Sequence, residues 1–208
     1  MSEDFLKSSV YFANRDVYIL GSGPNGVEHY KRALGAFPYV LPIIAVNKAI
    51  ESAPRQAYWL CITQGVLNER YFHWMMHDII NDGGHIPILA QSSLTDAYPE
   101  TPYHVTVAQP IGHGDYNVIP GHIRRGAGTV GAALHIAHQK QARRAILIGV
   151  DMHGRGYWDG TENKDKGSMH PDGTWTQLTA LQGVVDWCKG NGMDVVSMSE
   201  TKLNVEMI

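Results

Sequence analysis

Residues 17–34 read VYIL-GSGPNG-VEHYKRAL: a short apolar run, a loop with glycines at 21, 23 and 26, and a stretch with helical character. The apolar run does not alternate with polar residues, which is how a strand buried on both faces of a parallel sheet reads. Glycine permits a tight turn and a close approach of the backbone. The helix that follows offers unpaired N–H groups and a partial positive charge at its N-terminus. Gly21, Ser22, Gly23, Pro24, Asn25 and Gly26 are therefore candidate contacts to a phosphate-bearing ligand, and a ligand-free strand-to-helix turn is the alternative.

Working outward, the same kind of run recurs: Pro42 to Val46, Ala57 to Ile62, Ile86 to Ala90, Ala145 to Val150 and Asp194 to Met198, with His104 to Ala108 a weaker candidate. Helical patterns lie between them. From Leu67, the residues Tyr71, Trp74, Met75 and Ile79 share a face, and Gly83-Gly84 ends the element. Thr129 is placed to cap a helix with a small-residue stripe at Val130, Ala133, Leu134 and Ala137. A last helix, near Trp175 to Lys189, carries Leu178, Leu181, Val185 and Cys188 and stops at Gly190-Asn191-Gly192. Strands alternating with helices predict an α/β fold: a doubly wound, mostly parallel Rossmann-like sheet with helices on both faces. One domain over 1–208 is expected, with an irregular insert near 91–125 and an active-site loop near 151–174.

Composition fits that reading. The 208 residues are 44% hydrophobic and 18% charged, against roughly 25% charged in typical soluble domains, which excludes disorder. A formal net charge of −3 with scattered Lys and Arg supports neither a nucleic-acid surface nor a basic membrane face. No run reaches the ~18 apolar residues of a spanning helix, and the opening MSEDFLKSSVYF lacks the pattern of a signal peptide. Cys61 and Cys188 sit in apolar runs as small buried thiols, so a reducing, cytoplasmic setting is expected.

Four further features carry chemistry. An Asp or Glu about 20 residues past the glycine loop would hold a dinucleotide's ribose, but the second strand ends in Asn47, which weakens the dehydrogenase reading. Arg124 and Arg125 precede a Gly-rich turn, with Gly128 and Thr129, where guanidinium and backbone N–H groups converge on phosphate oxygens. Asp151 ends a buried strand, where it binds Mg²⁺, orients a neighbour or caps a turn. The loop beyond gathers His153, Tyr157, Trp158, Asp159, His170 and Asp172, types suited to a substrate pocket, or else a solvated loop using Gly and Asp for turns. His73 and His77 share a helix face without the Glu of a zincin or an evident third ligand, so they, with His29, His85, His104, His135 and His138, are read as partly buried or surface histidines.

Taken together, GSGPNG, IIAVNKAI and TVGAALHIAHQKQARRAILIGVDMHG, in that order, resemble a pattern shared by bacterial sialyltransferases that modify lipooligosaccharide and by a broader group. That group includes flagellin-modifying motility accessory proteins and archaeal 6-hydroxymethylpterin diphosphokinase. The resemblance implies a nucleotide-activated sugar bound on a Rossmann-like sheet, with no metal needed for transfer. The sialyltransferase loop reads G-N-G-P-S, so Gly21, Gly23 and Pro24 match, while Ser22 and Asn25 replace its Asn and Ser. Asn47 matches the family's nucleotide-contacting Asn, Arg125 its Arg before the turn, and Gly149-Val150-Asp151 its Gly-Ile-Asp. Of two tyrosines that assist the departing phosphate, His153 stands at the first position and Tyr157 at the second, and His170 fills the place of the base. In the diphosphokinase branch the implied chemistry is pyrophosphate transfer from ATP, with Asp151 on Mg²⁺.

The expected function is thus a nucleotide-dependent transferase, foremost a glycosyltransferase, in which His170, Tyr157, Arg125 and His153 are catalytic. The alternatives are a Mg²⁺-dependent diphosphokinase and a non-catalytic nucleotide-binding protein. Expected partners are a nucleotide or nucleotide-sugar and a small-molecule or glycan acceptor, without nucleic acid or a membrane span; a homo-oligomer is compatible with this reading.

Overall fold

The computed structural model describes residues 12–36, 42–47, 49, 59–62, 88–90, 107–110, 116–117, 123–125, 127–152 and 177–208, with backbone alone at 36, 59–62, 88–90, 107–110, 123–125 and 177. The apolar runs become β1 (Asp16–Leu20), β2 (Ile43–Val46), β3 (Trp59–Ile62), β4 (Ile88–Ala90), β7 (Arg144–Ile148) and β8 (Asp194–Ser197). They pair side by side in the order β4-β3-β2-β1-β7-β8, and every pairing is parallel. A short strand, β9 (Glu206–Met207), extends this sheet beyond β8. Too short to show a pattern, β9 was not expected from the sequence. The insert near 91–125 is not wholly irregular, for it contains β5 (Val107–Pro110) and β6 (Ile123–Arg125), paired with each other outside the main sheet.

Three helices are described. The one after the glycine loop, α1 (Gly26–Ala36), buries Gly26, Tyr30 and Ala33, one face at helical spacing. Next, α2 (Gly128–Gln139) buries Thr129, Gly131 and Ala133 through Ala137. The third, α3 (Gln177–Gly190), buries Ala180, Leu181, Val184, Val185 and Cys188. Along β1 and β7, Val17, Ile19, Ala145 and Leu147 join the core shared with α2 and α3. The alternate residues Tyr18, Leu20, Ile146 and Ile148 are as deeply buried on the face that α1 covers. Burial on both faces is why these strands are continuously apolar, and each large side chain so buried contributes about 1.5–3 kcal/mol.

Two helix ends explain their sequences. After α3, Met193 N–H donates to the Cys188 carbonyl and Gly192 N–H to Lys189, with Gly192 at φ +87°, a Schellman motif built on the expected glycine. After α2 the same motif forms with Gln141 in the left-handed position at φ 60°. The N-terminus of α2 departs from expectation. Ala127 occupies the cap without a side-chain bond, and Thr129 lies inside the first turn, its hydroxyl engaged elsewhere.

Charge marks one edge of the sheet. Asp16, Arg144 and Asp194 lie on one rung at the N-terminal ends of β1, β7 and β8, where Arg144 Nε donates to Asp194 at 3.2 Å. Arg143 also reaches Asp16, at 2.7 Å, from an exposed position. Such exposed pairs contribute at most about 1 kcal/mol and chiefly fix register. The opposite edge is built of glycine, small polar residues and helix N-termini.

Candidate functional site

From β1 the chain steps outward through β2, β3 and β4, then returns to the other side of β1 as β7 and β8. The carboxyl ends of β1 and β7 are therefore the point at which the winding reverses, where open α/β sheets leave a crevice for ligands. Leu20 and Ile148 are partners in register there, so Gly21 and Gly149 leave the sheet together.

Those two exits interlock. Gly21 N–H donates to the Ile148 carbonyl at 2.7 Å, and Gly23 N–H to the Gly149 carbonyl at 2.8 Å. A Cβ on Gly21 or Gly23 would fall 2.5 or 2.6 Å from the Gly149 oxygen, and one on Gly26 would fall 3.0 Å from the Gly21 oxygen. Gly149 is in the left-handed region at φ +67°, and a Cβ on it would meet the Gly21 oxygen at 2.6 Å and Gly26 Cα at 2.8 Å. The three loop glycines are thus required by packing against Gly149, whatever the loop binds. That packing sets the start of α1 at the crevice, with the Gly26 N–H donating to the Gly23 carbonyl at 2.9 Å. The strand expected to run to Val150 ends at Ile148 because Gly149 turns away here.

One strand over, Asn47 follows β2 at φ 50°, a conformation Asn tolerates better than most residues. Its Nδ2 donates to Thr129 Oγ1 at 3.2 Å, tying the exit of β2 to the first turn of α2. Two residues chosen from separate blocks of sequence are thereby joined across 82 positions. Gly128 enters α2 at φ +68°. On the far side of Gly21, Asp151 is half-buried, with its Cγ 3.3 Å from the place a Gly23 Cβ would take. With strands roughly 4.8 Å apart, the residues leaving β2 and β7 flank the glycine loop at about one strand spacing each. A carboxylate so close to the loop repels a bare phosphate. It suits a ribose hydroxyl, or a cation shared with phosphate oxygens.

Gly21 to Gly26, Asn47, Gly128, Thr129 and Asp151 therefore share the carboxyl edge of the sheet. Within the loop, Ser22 and Pro24 are half-buried and Asn25 is exposed. Arg125 closes β6, shortly before α2. His153, Tyr157 and His170 lie outside the described residues, as do Cys61 as a side chain and the stretch carrying His73 and His77.

Other positions gain roles that the sequence did not signal. Ser197 and Ser199 are buried beneath Gly149. Tyr116 packs its ring against Gly183, where any side chain would collide with it, and Asn117 accepts from Trp187 Nε1 at 2.9 Å. His135 and His138 pack edge-on to Trp187, as structural histidines do. Burial pushes His29 below the ordinary imidazole range and the Cys188 thiol up to about 12, so Cys188 is a buried apolar group, as expected. Among the described residues no group of three or more His, Cys, Asp or Glu is placed to hold a metal, and no helix is long and apolar enough to cross a membrane.

No protein-family model and no curated protein matches the chain. Solved structures do. The chain is similar to the MAf glycosyltransferase of Magnetospirillum magneticum AMB-1, with a TM-score of 0.56 and 15% identity over 94% of this chain and 33% of that one. It is also similar to two Campylobacter jejuni enzymes. The monofunctional α-2,3-sialyltransferase Cst-I gives a TM-score of 0.56 at 13% identity, over 92% of this chain and 81% of that one. The sialyltransferase CstII, in complex with the substrate analogue cytidine-5′-monophosphate, gives 0.52 at 12%, over 89% and 80%. The chain thus spans about a third of the MAf protein and four fifths of the sialyltransferases. Identities this low establish a shared α/β Rossmann-like fold, and the neighbours come from the group that the three sequence blocks resemble.

Proposed function

We propose that the chain binds a nucleotide at the reversal point between β1 and β7 and transfers a sugar from it to a hydroxyl acceptor. The observation that carries this reading is the meeting, at one sheet edge, of the glycine loop, the Asn47–Thr129 pair and Asp151. Support for the sugar comes from the glycosyltransferase neighbours and from the sequence resemblance. In this account the amides that open α1 and α2 face the nucleotide, Asn47 and Asp151 hold base or ribose, and Arg125 neutralises the phosphate. The acceptor oxygen attacks the anomeric carbon as the bond to the nucleotide phosphate breaks. His170 takes the acceptor's proton, while Tyr157 donates a hydrogen bond to the departing phosphate, with His153 beside it. No metal takes part.

The position of Asp151 favours a second reading, a Mg²⁺-dependent diphosphokinase. One carboxylate beside a phosphate-binding loop fits Mg²⁺, which is held by one or two carboxylates together with substrate phosphates. In that case ATP would supply the transferred pyrophosphate, and Asp151 would hold the ion.

Turnover of nucleotide-sugars and of ATP, measured with and without chelator, separates the two. Metal-free sugar transfer, lost in His170→Ala by about a hundredfold or more with nucleotide binding intact, is the expected result. Full activity in His170→Ala would remove the base, and pyrophosphate transfer from ATP that is lost in chelator would favour the diphosphokinase. Binding without turnover of any substrate would leave a non-catalytic nucleotide-binding protein.

A further inference from the structure

Past β8 the chain does not leave the site. Met198 N–H donates to the Leu147 carbonyl at 2.9 Å, and Lys202 N–H to the Asp151 carbonyl at 3.0 Å. From α1, Arg32 donates to the Met198 carbonyl at 3.0 Å. Leu203 is buried in the core, and Asn204 N–H donates to Gln182 Oε1 at 2.7 Å. Residues 198–203 thus lie along the exit of β7, on the side away from β2.

At the centre of this contact is a buried hydroxyl pair. Ser199 Oγ accepts the Gly149 N–H at 2.9 Å. Ser197 Oγ donates to the Ser199 carbonyl at 2.7 Å and accepts the Ser199 N–H at 3.3 Å, closing a local ring. The β7–β8 pairing ends at Leu147 and Ser197, so no strand carbonyl is registered with Gly149, and the Ser199 hydroxyl supplies the acceptor instead. Gly149 is then held through both its peptide groups, its N–H by Ser199 and its carbonyl by Gly23 N–H.

We infer that Ser199 is a positioning residue for the nucleotide loop: by fixing the Gly149 amide it fixes the carbonyl on which Gly23, and hence the opening of α1, is seated. This deepens the nucleotide-binding reading and rests on it for its effect on affinity. The 198–203 segment is the fourth wall of the crevice, beside the glycine loop, the Asn47 exit and the Asp151 exit.

The test compares the full chain with Ser199→Ala and with Val185→Ala, a core truncation in α3 away from the crevice that serves as a stability control. Amide exchange by NMR is read at Gly149 and Gly23, and dissociation constants are measured for CMP, UDP, GDP and ATP. In Ser199→Ala both amides should exchange about tenfold faster or more, and affinity for whichever nucleotide binds should fall by about tenfold, the equivalent of one buried hydrogen bond. Val185→Ala should do neither. Unchanged exchange at Gly149 and Gly23, or equal effects in Val185→Ala, would overturn the inference. If the wild-type chain binds none of the four nucleotides, the proposed function fails, and the exchange comparison still decides the role of Ser199. Should Ser199→Ala not fold, Ser199→Cys, of similar shape but a weak acceptor, supports the same comparison.

Discussion

A methyl group on Gly149 would stand 2.6 Å from the Gly21 oxygen and 2.8 Å from Gly26 Cα, on a backbone already at φ +67°. Both problems act together in Gly149→Ala, which is expected to lower the free energy of unfolding by about 2 kcal/mol or more. Urea denaturation measures this, and a neutral result would mean that the two exits are not packed as described. At this scale the sequence was legible by residue type but not by cause. Gly21, Gly23 and Gly26 announce a turn, yet their partner Gly149 lies more than a hundred positions away. Asn47 and Thr129 were singled out for a nucleotide, and the bond between them shows that each also has a structural task. Ser199 carried no signal, because a serine near a strand end is common and its value lies in the amide it meets.

Among the elements, α2 ends on Lys140, a lysine with no exposed surface. Burial lowers its pKa from the ordinary 10.5 to about 8. Between those values the unfolded chain holds a proton that the folded chain has released, so this lysine's contribution to stability rises with pH from about 8 to 10.5. Cys188, raised from 9.0 to about 12, and Tyr30, raised from 10.0 to about 12, act in the opposite sense, since stability they supply at low pH is lost above 9.0 and 10.0. The difference between wild type and Lys140→Met isolates the lysine. Relative to wild type, Lys140→Met should gain about 2–3 kcal/mol in stability as the pH falls from 10.5 to 7. Urea midpoints at pH 7, 8.5 and 10 check it, and a difference independent of pH would contradict it. The apolar stripes of α2 and α3 could be read from spacing, but the cap of α2 could not. A threonine at a helix start signals a cap, yet Thr129 faces Asn47, and that preference depends on a contact distant in sequence.

For the whole molecule, the decisive fact is strand order. Continuous apolar runs identified six strands of the parallel sheet, and in β1, β2 and β7 burial on both faces accounts for the lack of alternation. They could not order the strands, and order is what places the reversal between β1 and β7 and so sets Gly21 beside Gly149. β6 and β9, of three and two residues, are too short to carry a periodic signal. The charged rung of Asp16, Arg144 and Asp194 at the opposite edge completes the asymmetry: ions mark one end of the sheet, and glycines, small polar residues and helix N-termini make up the other.

The most direct measurement is a titration of the full chain with CMP, UDP, GDP and ATP, followed by amide chemical shifts. Saturable changes confined to residues 21–26, 47, 128–129 and 149–151 are expected, with little change at the Asp16–Arg144–Asp194 edge. Saturable changes centred elsewhere, or none with any of the four nucleotides, would contradict this expectation.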